Sequence, residues 1–192
     1  MLELTSRETW TVIHGLVLGT LFLLAFAGGL AGLWSLRPGL VTTAGIKERM
    51  TRLYYGTGLM AVVAWATVVS GTWIVYPWYR VSLAKVGEDT YAGCAGAVLP
   101  GATCSPRDFL NSNVSGNTEA WHTFGMEWKE HVAWLAPLLA TAVAAAVTYY
   151  GVDLIKHQNV RRGLMVFFTL SVVLAGIAGL FGALITKVQP VL

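Results

Sequence analysis

Two of the four histidines stand inside apolar runs instead of beside them. His14 follows "RETWTVI" about five residues into a first apolar stretch, and His131, in "MEWKEHVAWLAPL", comes about four residues into a third. An imidazole within a stretch fit for a bilayer is costly and marks function by default. If the two stretches are parallel helices, the rings share a depth of roughly 5 to 8 Å below the interface, at ~1.5 Å per residue. Two imidazoles at one level on facing helices suit axial ligation of a planar iron macrocycle from both sides, so the expected cofactor is one bis-histidine haem b.

The elements that must carry these rings are legible from composition. The chain has 192 residues, is 55% hydrophobic and only 12% charged, and its mean hydropathy is +0.60. That is too apolar for a soluble domain of this size. Spans are expected at about residues 9–36, 53–78, 128–152 and 164–187, each long enough for about 30 Å of hydrocarbon, with an outer loop over 79–127. The fold class expected is an all-α integral membrane protein, a single up-down-up-down four-transmembrane-helix bundle. The first apolar run is twice as long as a signal-peptide core and lacks an A-x-A site, so it reads as a retained helix.

Charge sets the expected orientation. The connections between the first and second spans and between the third and fourth hold seven basic residues (Arg37, Lys47, Arg49, Arg52, Lys156, Arg161, Arg162) against Glu48 and Asp153, which marks them as cytoplasmic. Six basic residues and eight acids lie on the other side, so both termini are expected outside, in a bacterial or archaeal cytoplasmic membrane. The net charge of +3 therefore reports topology and implies no nucleic-acid partner. Cys94 and Cys104 both fall in the outer loop, where an oxidising compartment allows a structural disulfide. Tryptophans and tyrosines gather near the ends of the spans as an interfacial belt; Trp73 and Trp134 are deep enough to line a cofactor pocket.

Small residues recur where the spans should touch: Gly15 and Gly19, Gly28 and Gly32, and Gly176, Gly179 and Gly182. Some are also expected to make room for the macrocycle. Ser70 and Gly71 on the second span, with Gly179 and Gly182 on the fourth, are expected at the level of the two histidines, and Gly15 flanks His14. Arg80, Lys129 and Lys187 stand near the outer face, where they are candidates to pair with haem propionates or to snorkel into headgroups. Glu127 is four residues before His131 and a candidate to orient it, Glu130 is adjacent, and Pro137 removes a backbone donor and is expected to bend the helix. The plainer reading of Glu127, Lys129 and Glu130 is a charged first turn in the headgroup region. His157 falls in a basic loop; His122, before the third span, is a candidate metal ligand with Glu127 and His131, and Met126 beside them would favour copper.

With His14, His131 and the glycines at their level, the chain resembles the small four-helix membrane b-type cytochromes. The resemblance implies an electron carrier that exchanges electrons with quinone or an outer-face redox protein, as a subunit of a larger redox complex. Two-haem members place two histidines about four turns apart on one helix; no such pair occurs here, so one haem on the outer side is implied. The stretch "EWKEHVAWLA" after a cysteine-bearing loop also resembles haem A synthase, which would make Glu127 and Glu130 catalytic, although such enzymes carry twice the helices. A third possibility is a cofactor-free accessory membrane subunit, in which every glycine and aromatic serves packing alone. The motifs of soluble nucleotide-binding and hydrolase chemistry are absent from the sequence.

Overall fold

The computed structural model describes residues 6–42, 45–80, 106–111 and 117–188. The regular elements among the described residues are all helices, with no strand. Four helices are long and apolar enough to cross a membrane: Glu8–Ser35, Ile46–Arg80, Trp121–Ile155 and Gln158–Lys187. They are the first to fourth helices below. A short helix, Pro106–Asn111, precedes the third.

The second and third helices run several residues past their expected hydrophobic limits. The second starts at Ile46, so that Lys47, Glu48, Arg49 and Arg52 are helical. The third starts at Trp121, inside the expected outer loop. The reason is physical: a helix need not stop where hydropathy falls, because pairs such as Arg52 with Glu48, four residues apart, support further turns in water. Cys94 and Cys104 lie outside the described residues.

Each long helix packs on the next in the chain, and the first also packs on the fourth, so the first and third lie diagonally. The main core sits in the half that holds the two short connections, here the hairpin half. Phe22, Ala25, Leu33, Leu53, Met60, Ala64, Ala140, Val143, Val147 and Phe168 are buried in it. On the third helix, Ala136, Ala140, Val143 and Val147 recur at helical spacing, which turns one stripe inward.

Glycine governs the approach here. A Cβ on Gly56 would lie 3.2 Å from the Gly29 nitrogen and 3.3 Å from its Cα, so the first and second helices meet backbone to backbone. A Cβ on Gly29 would lie 2.6 Å from the Phe168 ring, which fills that notch and packs on Phe26 at 5.4 Å between centroids. The close approach thus centres on Gly29 and Gly56, which are not among the expected positions. Of those, a Cβ on Gly32 would lie 3.1 Å from Leu53 and one on Gly182 would meet Lys129, while one on Gly28 would meet nothing within 4 Å. Nor does close approach occur at Gly15, Gly19, Gly176 or Gly179, where a Cβ would likewise meet nothing within 4 Å.

A second cluster closes the opposite, terminal half, where the first helix begins and the fourth ends. Tyr79, Phe109, Leu110, Met126 and Ile185 pack together there, and Thr118 Oγ1 donates to the Leu110 carbonyl at 2.8 Å. The short helix Pro106–Asn111 is thereby tied to the helix ends.

Gly56→Val forces a branched side chain against backbone that has no freedom to retreat, an overpacking that costs roughly 1 to 3 kcal/mol. Thermal unfolding of the detergent-purified protein should show a clear fall in Tm. Gly58→Ala, where a Cβ meets nothing within 4 Å, should leave Tm unchanged or raised.

Candidate functional site

The terminal half differs from the hairpin half in its backbone. Three of the long helices widen there into π-helical turns: Ile13–Val17, Gly71–Val75 and Trp121–Met126. In each, an N–H reaches five residues back: Leu18 to the Ile13 carbonyl, Tyr76 to Gly71 and Glu127 to His122. Wide turns fit poorly in a regular helix and concentrate at functional sites. His14 lies within the first of them.

His14 turns inward toward the second helix. Its Nδ1 is 3.1 Å from Ser70 Oγ, and the single Ser70 hydroxyl proton is given to the Thr67 carbonyl at 3.1 Å. With the hydroxyl proton so placed, Nδ1 donates to Ser70 Oγ and Nε2 keeps its lone pair. The ring sits where a side chain on Gly71 would be, a Cβ there lying 2.7 Å from Cε1. The expected placement of Ser70 and Gly71 beside His14 is met.

His131 has the same internal arrangement and the opposite direction. Its Nδ1 lies 2.7 Å from the Glu127 carbonyl oxygen, which can only accept, so Nε2 is again the free nitrogen. The Glu127 carboxylate is 3.9 Å from the same Nδ1. The side chain is 76% exposed, and it continues the outward row of Leu135 and Leu138. The structure does not bring His14 and His131 together.

Lys129 holds the inward position of the third helix. It stands seven residues before Ala136 and eleven before Ala140, in register with the buried stripe. Its ammonium lies against the fourth helix, 2.8 Å from where a Cβ on Gly182 would be. His14 is close enough to feel that charge. Among the described residues no carboxylate lies within 4.0 Å of Lys129 Nζ.

Toward the second helix, the Tyr76 hydroxyl is directed at the Glu130 carboxylate. Both Tyr76 Oη and Glu130 Oε1 are buried, and neither completes a hydrogen bond of normal geometry. Deeper along the same seam, Trp134 is wedged edge-on between Trp65 and Trp73, at 6.1 and 6.0 Å between centroids. Arg80 lies over the Tyr76 ring at 5.1 Å. Tyr79, missed in the sequence, is the buried partner of His122, its hydroxyl 2.8 Å from Nδ1. Pairing Tyr79 with His122 required knowing that Trp121–Met126 is already helix.

Among the described residues no three His, Cys, Asp or Glu side chains gather as metal ligands. The set His122, Glu127 and His131 is thus not assembled: His122 turns to Tyr79 while His131 turns outward. Gly15 and Gly179 touch no ring either.

A haem can be tested against this arrangement. His14 fits an axial ligand, with an anchored Nδ1, a free Nε2 and a glycine that makes room. His131 has the right tautomer on the wrong side of its helix for a ring shared with His14.

Tyr79→Phe keeps the ring and removes the hydroxyl, so that His122 Nδ1 is left buried without its partner. A loss of about 1 to 3 kcal/mol is expected. Denaturant unfolding followed by tryptophan fluorescence should show a lower midpoint at unchanged slope, and His122→Phe combined with Tyr79→Phe should recover part of the loss.

Compared with known protein families, curated proteins and solved structures, the chain matches none.

Proposed function

We propose that this chain is an up-down-up-down four-span membrane protein of electron transfer, with both termini outside and one b-type haem in its terminal half. The observation that supports the reading most directly is the pair of imidazoles on diagonal helices, each anchored through Nδ1 to an oxygen and each with Nε2 free. Iron ligands on histidine usually show this second-shell anchoring. The haem would supply one-electron redox chemistry in a site otherwise built of residues that do not cycle.

His14 would be one axial ligand, oriented by Ser70 and given room by Gly71. His131 would be the second only if the third helix turns locally. The six-residue block Glu127–Val132 is bounded on one side by the π-helical turn Trp121–Met126 and on the other by Ala133–Trp134. At that second boundary Pro137 has no N–H to offer, and the Leu138 to Trp134 bond stretches to 3.5 Å. These two irregularities are where the helix would have to change phase, at the cost of the backbone bonds that cross them, for His131 to face inward. Arg80 and Lys187, near the terminal end, remain candidates for the propionates. The exchange partner would be quinone or a redox protein at the outer face.

The experiment is a reduced-minus-oxidised optical spectrum of the full chain, expressed with haem supplied, beside His14→Ala and His131→Ala. A b-type α-band in the wild type that is lost in both variants is the expected result. A band lost in His14→Ala alone would leave His131 outside the site, and a colourless wild type would sink the reading.

A further inference from the structure

The seam between the first and fourth helices is filled at one end and open at the other. In the hairpin half Phe26 packs on Phe168, and Phe168 enters the notch at Gly29. Two turns along the first helix from Phe26, on the same face, stands Gly19. Three turns along the fourth from Phe168, again on the same face, stands Gly179. At both, and at their neighbours Gly15 and Gly176, a Cβ would meet nothing within 4 Å. The beginning of the first helix leans instead on the second, through His14 against Ser70 and Gly71. The seam therefore widens into a glycine-faced crevice as it approaches the terminal end.

Lys129 stands at the back of that crevice. Its stem leaves the third helix in register with the buried stripe, and its half-buried head lies against the fourth, 2.8 Å from where a Cβ on Gly182 would be. Among the described residues the acid that acts on it is its neighbour Glu130, whose carboxylate is farther than 4.0 Å from Nζ and is directed at Tyr76. A cation taken out of water without an anion in contact is expensive, and within a membrane helix such a group marks a ligand or a path.

We propose that the crevice binds an anionic phospholipid of the surrounding leaflet, its phosphate on the Lys129 ammonium and one acyl chain between the glycine faces of the first and fourth helices. Charge decides the head: a lone ammonium attracts a phosphate and has nothing to offer a zwitterion that already carries its own cation. The apolar walls and the lateral opening decide the body, since a water-soluble anion would gain nothing from them. The site belongs to the geometry described, with Lys129 inward; a turn of Glu127–Val132 that brought His131 inward would carry Lys129 out, so a bis-histidine haem and this lipid are alternative uses of that block.

The test is native mass spectrometry of the full chain, reconstituted with equimolar phosphatidylglycerol and phosphatidylcholine of identical chains and then stripped in detergent. Wild type should retain one phosphatidylglycerol in preference to phosphatidylcholine. Lys129→Gln should lose that preference by about tenfold, the scale of one modest charge pair, and Lys129→Arg should keep it. Gly179→Leu, which fills an open position and leaves the charge, should lower retention of the lipid. His14→Ala should retain it as wild type does, so the site survives even if the haem reading fails. Equal retention of both lipids by wild type, or unchanged preference in Lys129→Gln shown to be monodisperse and helical, would overturn the proposal, as would a wild type that carries haem and no lipid.

Discussion

The fold turns on one close contact. Gly56 meets the backbone of Gly29, and Phe168 reaches into the same place from the fourth helix. A backbone contact sets the distance between two helices at that level more strictly than any side-chain packing does. Helices pinned so tightly in one half must diverge in the other unless their outer residues are equally small and meet. Gly15 and Gly19 are small enough but do not meet a partner, because the first helix leans toward the second there. The polar and aromatic side chains of the terminal half, His14, Lys129, Tyr76, Tyr79 and Glu130, occupy the width that this divergence creates.

Divergence has a backbone cost, met by the three π-helical turns. Each wide turn adds a residue to the helix without advancing it by the usual amount, so the faces on either side are out of phase with one another. The inward stripe of Ala136, Ala140, Val143 and Val147 is regular, as expected of a part whose work is packing. The turns around His14 and Gly71 are irregular in the same place where side chains carry hydrogen-bonding and charge. Conformational irregularity and polar chemistry thus share one half of the molecule.

This division also accounts for what the sequence could tell. Four long helices follow from hydropathy and length alone, and the meeting of His14 with Ser70 and Gly71 follows from counting residues along antiparallel neighbours. Which way His131 points does not follow. Facing depends on helical phase, in which an error of one residue turns a side chain by about 100°. The third helix contains a π-helical turn before His131 and a proline break after it, and neither its seven-residue advance start at Trp121 nor its phase leaves a mark in composition. Lys129 reads as a propionate partner or a headgroup residue for the same reason: its charge is visible in the sequence, but its register with Ala136 and Ala140 is not.

The small cluster of Tyr79, Phe109, Leu110, Met126 and Ile185 bears on how such a chain is assembled. The short connections make two hairpins, first with second and third with fourth. The cluster draws on the end of the second helix, the short helix, the start of the third and the end of the fourth. It can form only after both hairpins are in place. The cluster is therefore a clasp between the two halves, with the short helix Pro106–Asn111 as its cross-piece.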